Sequence, residues 1–175
     1  MLGVRCADGL EVFEIPSSSI SFGSMLGEGQ FGKVFEGVMV TEQDKPAIRV
    51  AVKMLGQGLD VSEQNAFLKE ALRMTKFNHP HIVRLLGVCF KEQPSFIVLE
   101  HMSRGDLKQY LRESCQDGQA APTIAPEELL VIARQVASAL VYLSEVPYVH
   151  RDIAARNVLI DASQCYKLSD FGKLR

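Results

Sequence analysis

Between residues 20 and 55 the apolar positions alternate as they do along strands. Residues 33–40 are rich in β-branched and aromatic side chains, and residues 48–54 alternate well. The polar stretch Thr41-Glu42-Gln43-Asp44-Lys45-Pro46 reads as a hairpin loop between them. The period then changes. Phe67, Ala71 and Met74 fall at i, i+4 and i+7, the spacing of an amphipathic helix, and Asp60 with Glu63 three residues later is a capping box for its start. Residues 82–88 and 95–99 are two more apolar strands around a Lys91-Glu92-Gln93-Pro94 turn. This part of the chain predicts five strands and one helix, with the strands joined mainly by hairpins. Beyond Gly105 the pattern turns helical: a short helix over 106–112, a polar loop over 113–125, and a long helix opened by Pro126-Glu127-Glu128. Proline is tolerated in a first turn, and acids there complement the macrodipole. The predicted buried stripe of the long helix is Leu129, Ala133, Val136, Leu140 and Leu143. Residues 148–169 hold two short strands around Asp161-Ala162-Ser163. Residues 1–19, ending in Pro16-Ser17-Ser18-Ser19, read as an irregular lead-in.

The 175 residues are enough for one domain with a core of its own, and 47% apolar with 23% charged residues is ordinary globular composition. A net charge of −2 argues against a nucleic-acid binder, where a basic patch is expected. No apolar run approaches the ~20 residues that span a bilayer, and residues 1–10 do not resemble a secretory signal. Cys6, Cys89, Cys115 and Cys165 are far apart and form no CxxC pair, so neither a zinc site nor a disulfide framework is indicated and a reducing compartment fits. His79 and His81 are a bare pair at a helix-to-strand turn, a commoner arrangement than a metal site.

Four groups of residues carry chemistry. The first is Gly27-Glu28-Gly29-Gln30-Phe31-Gly32-Lys33-Val34. Glycines let a backbone turn tightly and approach phosphates closely, but a plain glycine-rich turn has the same composition. A dinucleotide-binding fold would open a helix here and place an acid about 20 residues on; instead a strand follows, and Val50-Ala51-Val52-Lys53 lies at that distance. A Walker A loop requires GxxxxGK and then Ser or Thr, and Val34 has no hydroxyl. The strand-loop-strand form GxGxxGxV fits every position. The second is Lys53, which shares a strand face with Ala51 while Val50 and Val52 pack on the other. The third is Glu70, near the buried stripe of its helix, where a carboxylate wants a partner. Lys53 is the obvious one. The fourth is His150-Arg151-Asp152-Ile153-Ala154-Ala155-Arg156-Asn157 followed by Asp170-Phe171-Gly172. Phosphoryl transfer needs a base for the acceptor hydroxyl, cations to neutralise the phosphates, and oxygen ligands to hold those cations. Asp152 supplies the base; Asn157 and Asp170 supply metal ligands.

In this order and spacing the four groups resemble the protein kinase family over residues 20–175. The resemblance implies an α+β, bilobal fold: a five-stranded antiparallel N-lobe with one helix over 20–99, a hinge over 100–105, and the start of a helical C-lobe over 106–175. It implies ATP and Mg2+ as cofactors, with Leu26, Gly27, Glu28, Gly29, Gln30, Phe31 and Gly32 covering the nucleotide. Lys53 would hold the α- and β-phosphates and pair with Glu70. Val34, Ala51 and Leu159 would sandwich adenine, Glu100 and Met102 would offer it backbone hydrogen bonds, and Leu99 would stand behind it. Met74, Leu85, His150 and Phe171 match the stack that links the lobes in active kinases. Serine/threonine kinases carry a lysine two residues after the catalytic aspartate. Here that position is Ala154, and Arg156 restores the charge from further on, which is similar to the tyrosine kinase pattern. The glycine loop, residues 77–83 and residues 150–157 resemble the focal adhesion kinase family most closely, although receptor tyrosine kinases share the Ala-Ala-Arg order.

The resemblance further implies ATP-dependent phosphorylation of protein tyrosines, at the cytoplasmic face of adhesion or receptor signalling complexes. The alternative is an ATP-binding pseudokinase or interaction module that transfers nothing. Two departures stand out. Lys173 follows the Asp-Phe-Gly triplet where the family has an apolar residue, and the chain ends at Arg175, before any activation segment or Ala-Pro-Glu motif. On this reading the sequence is a partial kinase domain, with little activity as it stands.

Overall fold

A computed structural model describes residues 9–29, 32–40, 46–114 and 124–172. The chain divides into two compact units, one built from the residues up to Phe77 with Arg84–His101, the other from Asn78–Val83 with Met102–Lys173. The segment 78–83 therefore belongs to the second unit, although the sequence pattern placed it with the first.

The first unit contains β1 (Ile20–Gly29), β2 (Gly32–Met39), β3 (Ile48–Leu55), α1 (Val61–Met74), β4 (Leu85–Cys89) and β5 (Phe96–Glu100). The five strands form one antiparallel sheet in the order β1-β2-β3-β5-β4, the expected sheet with its single helix. Alternation sets the faces. Val50 and Val52 are wholly buried and join Ile20, Met39, Cys89, Phe96 and Val98 in one core cluster. Burial in this cluster pushes the Cys89 thiol pKa up, as desolvation disfavours the thiolate. Helix α1 starts on the expected capping box: the Glu63 amide donates to the Asp60 carboxylate at 2.8 Å and the Asp60 amide donates to Glu63 at 2.9 Å. It turns Phe67, Glu70, Ala71 and Met74 inward.

The lead-in segment is not the free loop its composition suggests. Strand β4 is a sheet edge, whose backbone groups need cover. Glu14 forms a parallel bridge with Val88, and the Ile15 amide donates to the Val88 carbonyl at 2.8 Å. The Glu14 carboxylate accepts from the Phe90 and Lys91 amides at 3.0 and 2.9 Å, and Glu92 in turn accepts from the amide and hydroxyl of Ser17. Leu10 is fully buried. Ile15 lies over Gly87, where a Cβ would come within 3.0 Å of its side chain.

The second unit contains α2 (Leu107–Glu113), α3 (Pro126–Glu145) and the antiparallel pair β6 (Val158–Ile160) and β7 (Tyr166–Leu168). Asp106 caps α2 by accepting from the Gln109 amide at 3.0 Å. Helix α3 runs as predicted, but its buried face is only partly the predicted stripe. Of the predicted positions Leu143 is buried and Val136 and Leu140 are half-buried, but Leu129 is 46% exposed and Ala133 is exposed, and the buried face is completed instead by Ile132 and Ala139. The apolar arc of the helix is wide, so more than one stripe satisfies the helical period. Packing against β7 selects the one centred on Ala139. The loop at 115–123 lies outside the described residues.

Glu128, at the start of α3, does more than complement the helix dipole. Its Oε1 accepts the hydroxyls of Tyr110 on α2 and of Tyr166 on β7, both at 2.7 Å. Tyr166 is 1% exposed, and desolvation together with Glu128 holds its hydroxyl pKa well above the usual value of 10. The two tyrosine hydroxyls hold the Glu128 carboxyl below its usual range. A folded-state phenol pKa raised above the unfolded one gives stability that is present below pH ~10 and is lost as pH rises beyond it. Tyr166→Phe is therefore expected to lower unfolding free energy by about 1–2 kcal/mol at neutral pH, with a shallower fall above pH ~10 than the wild type. Urea titrations at several pH values measure both; an unchanged stability and slope would mean the hydroxyl contributes nothing.

Candidate functional site

In the first unit the site begins with β3. Because Val50 and Val52 take the core face, Lys53 projects from the other, directly opposite Val34 on β2 and Ile97 on β5. Its Nζ donates to both carboxylate oxygens of Glu70, at 2.7 and 2.8 Å. Lys53 is 8% exposed and Glu70 is 2% exposed, so both charges are almost wholly removed from water. Desolvation on this scale is tolerable only with a charged, hydrogen-bonded partner. The helix supplies it: Glu70 lies one turn beyond the buried Phe67 and on the same face. The partnership inferred from the sequence is present.

The glycine segment forms the β1–β2 hairpin, with Gly27 opposite Val34, Glu28 opposite Lys33 and Gly29 opposite Gly32. Gln30 and Phe31 lie outside the described residues. Gly32 has φ +142°, and a Cβ there would stand 2.1 Å from the Met54 carbonyl oxygen and 2.7 Å from the Gly56 amide. Only glycine lets the hairpin close on the end of β3. Leu26 and Glu28 are exposed, while Val34 and Ala51 are half-buried. Ala51 pairs with Glu36 on one side and with the half-buried Leu99 on the other. The Glu100 amide donates to the Arg84 carbonyl at 3.1 Å, and its carboxylate accepts from the Arg84 amide at 2.8 Å. A backbone hydrogen bond from a ligand to Glu100 would therefore be accepted by its carbonyl. The Met102 carbonyl accepts from Gly105 at 3.4 Å, and its N–H has no hydrogen-bond partner among the described residues.

In the second unit Asp152 is held from both sides. Arg156, one helical turn later, donates to its Oδ1 at 2.5 Å, and the Asn157 side-chain amide donates to its Oδ2 at 3.0 Å and to its main-chain carbonyl at 2.8 Å. These bonds fix which way the Asn157 amide points. Its nitrogen is committed, and its Oδ1 accepts no hydrogen bond among the described residues. Ser169 donates its amide and hydroxyl to the Asn157 carbonyl at 2.8 and 3.0 Å, which ties the loop to the strand that leads to Asp170. Asp170 itself is exposed, between the buried Ser169 and Phe171. An amide oxygen and a carboxylate are hard oxygen donors, the kind Mg2+ takes alongside phosphates and water. The donor set fits that ion. Leu159, on β6, is half-buried and pairs with Lys167.

His150 is 4% exposed and packs its ring 4.9 Å from that of Phe171. Its Nδ1 accepts from the Asp152 amide at 3.3 Å, so the ring proton sits on Nε2 and is donated to the Ser169 carbonyl at 2.9 Å. Met74, Leu85 and Phe171, the other members of the expected stack, are each buried. His79 and His81 sit in the expected turn. His79 stacks on Tyr142 at 5.1 Å, and burial, then His81, lowers its pKa. Sequence reasoning did not single out Tyr148, whose hydroxyl donates to the Phe171 carbonyl at 2.9 Å. Its only signal was the i, i+2 spacing to His150.

A glycine hairpin closing on a strand that carries a buried lysine–glutamate pair, with an Asp–Asn loop tied to an Asp-Phe-Gly turn, defines a kinase-type catalytic domain. Residues 20–175 match the protein tyrosine and serine/threonine kinase family, and the chain belongs to it. It is 39% identical over 168 residues to the tyrosine-protein kinase transforming protein ros of UR2 avian sarcoma virus, covering 91% of this chain and 42% of that protein. It is also 39% identical to the insulin-like growth factor 1 receptor of Bos taurus, over 93% of this chain and 26% of the receptor. The insulin receptor of Xenopus laevis matches at 39% identity over 93% of this chain and 12% of its own length. The chain thus spans less than half the length of these curated relatives. No helix among the described residues is long and apolar enough to cross a membrane.

Removing one partner of a buried pair strands the other charge, at a cost of about 3–5 kcal/mol. Glu70→Ala should therefore destabilise the fold by about that amount. The double change Lys53→Met with Glu70→Leu should recover most of it, because no buried charge is left. Urea denaturation of both variants checks this; equal losses in the two would show that packing, not charge, dominates the position.

Proposed function

We propose that this chain is the catalytic portion of an ATP-dependent protein tyrosine kinase. The observation that carries the reading is the Asp152 carboxylate, oriented by Arg156 on one oxygen and Asn157 on the other. Lys53, steadied by Glu70, takes the α- and β-phosphates, and the backbone of Gly27–Gly32 covers them. Val34, Ala51, Leu26 and Leu159 enclose adenine, with the Glu100 carbonyl and the Met102 amide as its hydrogen-bond partners. Asn157 and Asp170 would hold Mg2+, which would neutralise the phosphate oxygens. Asp152 accepts the proton of the acceptor hydroxyl as that oxygen attacks the γ-phosphorus and the bond to the ADP oxygen breaks. Residues 100–105 serve as the hinge.

Tyrosine as acceptor is supported by Ala154 and Arg156, which leave no lysine two residues after Asp152, and by the names of the relatives. Those relatives are receptors or tyrosine kinase oncoproteins. They favour a receptor signalling complex at the cytoplasmic face of a membrane, with tyrosine-bearing proteins as substrates. The likeness of three motifs to focal adhesion kinases is a finer placement that none of these relatives supports.

The test joins this chain to the remaining C-terminal part of a related kinase domain and assays mixed peptides with labelled ATP. Phosphotyrosine is the expected product, and dominant phosphoserine or phosphothreonine would overturn the acceptor assignment. In the same chimera Asp152→Asn should reduce transfer by at least 100-fold, the range of a lost general base, with ATP affinity little changed. A comparable loss of affinity would make Asp152 structural.

A further inference from the structure

Asp170 adopts a left-handed backbone conformation, with φ +61°. A non-glycine residue persists there only when its surroundings over-determine it. The residues on either side provide the means. Tyr148 and His150 are two apart, and the intervening Val149 is 71% exposed. Their side chains reach the carbonyls of Phe171 and Ser169, which are also two apart and which flank Asp170. His150 Nε2 donates to the Ser169 carbonyl and the Tyr148 hydroxyl donates to the Phe171 carbonyl, both at 2.9 Å. The Tyr148 ring also packs 5.8 Å from that of Phe171, which is fully buried. The backbone on both sides of an exposed carboxylate is thus pinned to a single segment.

We propose that Tyr148 is a positioning residue for the Asp170 carboxylate, and that its hydroxyl is the second point of a two-point clamp on that turn. The proposal rests on the reading of Asp170 as a metal ligand. The two rings would hold Phe171 in place without the hydroxyl. What the hydroxyl adds is a fixed orientation for the peptide that follows Asp170, and hence for the direction in which the carboxylate leaves the backbone. Its loss should be felt in the backbone around Asp170 and in whatever Asp170 does through a metal, but not in the binding of a ligand that lacks phosphates.

Tyr148→Phe removes the hydroxyl and keeps the ring. In the 175-residue chain it should weaken binding of a fluorescent ATP analogue with Mg2+ by roughly fivefold, the range a lost neutral hydrogen bond gives, while binding of adenosine stays unchanged. Asp170→Ala should abolish the Mg2+ dependence, and adding Tyr148→Phe to it should then change nothing, as expected of two residues that act as one unit. Amide exchange in residues 170–172 without nucleotide should speed up in Tyr148→Phe. An Asp170→Ala variant that binds Mg2+–ATP like the wild type would overturn the metal reading alone, and the exchange measurement would still decide the clamp. Unchanged exchange, additive effects in the double variant, or a parallel loss of adenosine binding would each overturn the role of Tyr148.

Discussion

Burying the Lys53 ammonium is tolerable only because Glu70 meets it with both oxygens, at 2.7 and 2.8 Å. Much of the first unit is set by that requirement. Helix α1 must present Glu70 inward, which fixes its rotation, and Phe67 and Met74 are then carried into the core on the same face. The sheet must present Lys53 on the face opposite Val50 and Val52, which fixes the register of β3 against β2 and β5. A one-residue slip in that strand would send the lysine into the hydrocarbon side and the valines out.

The second unit meets a different constraint. Asp152 and Asp170 lie in loops, and Asn157 ends a single 3-10 turn, so little regular structure holds the backbone there. Hydrogen bonds between side chains and main chain do the holding instead. Asn157 bonds Asp152 twice, Ser169 bonds Asn157 twice, and His150 and Tyr148 hold the carbonyls on either side of Asp170. Among the described residues three non-glycine residues have positive φ; one of them, Asp170, lies between the two clamped carbonyls, and another, Arg151, lies between His150 and Asp152 in the chain. Strain concentrated at such places fits a site whose geometry is set in advance.

Elsewhere the molecule uses carboxylates as fasteners. Glu14 and Glu92 fasten the lead-in to the turn after β4, and Glu128 joins α2, α3 and β7 through two tyrosine hydroxyls. In each case an acid on one element satisfies donors on another. A sequence pattern does not show this, since an acidic residue at a helix start or in a polar stretch has an adequate local reason to be there.

Local pattern alone determined the five strands, the capping box of α1, the span of α3 and the pairing of Lys53 with Glu70. Each depends on residues close in sequence, or on one charge that had a single plausible partner. The spacing of Asp152, Asn157 and Asp170 likewise carried the candidate site, because the order of a few chemically distinct residues is informative without a structure. Three things were decided by tertiary structure. The face of α3 was one, since a wide apolar arc offers more than one stripe until packing against β7 selects among them. The lead-in on β4 was another, since an uncovered sheet edge is invisible until the strand order is known. The last was the clamp around Asp170, because the carbonyls that Tyr148 and His150 hold are about twenty residues away and have no side-chain signature.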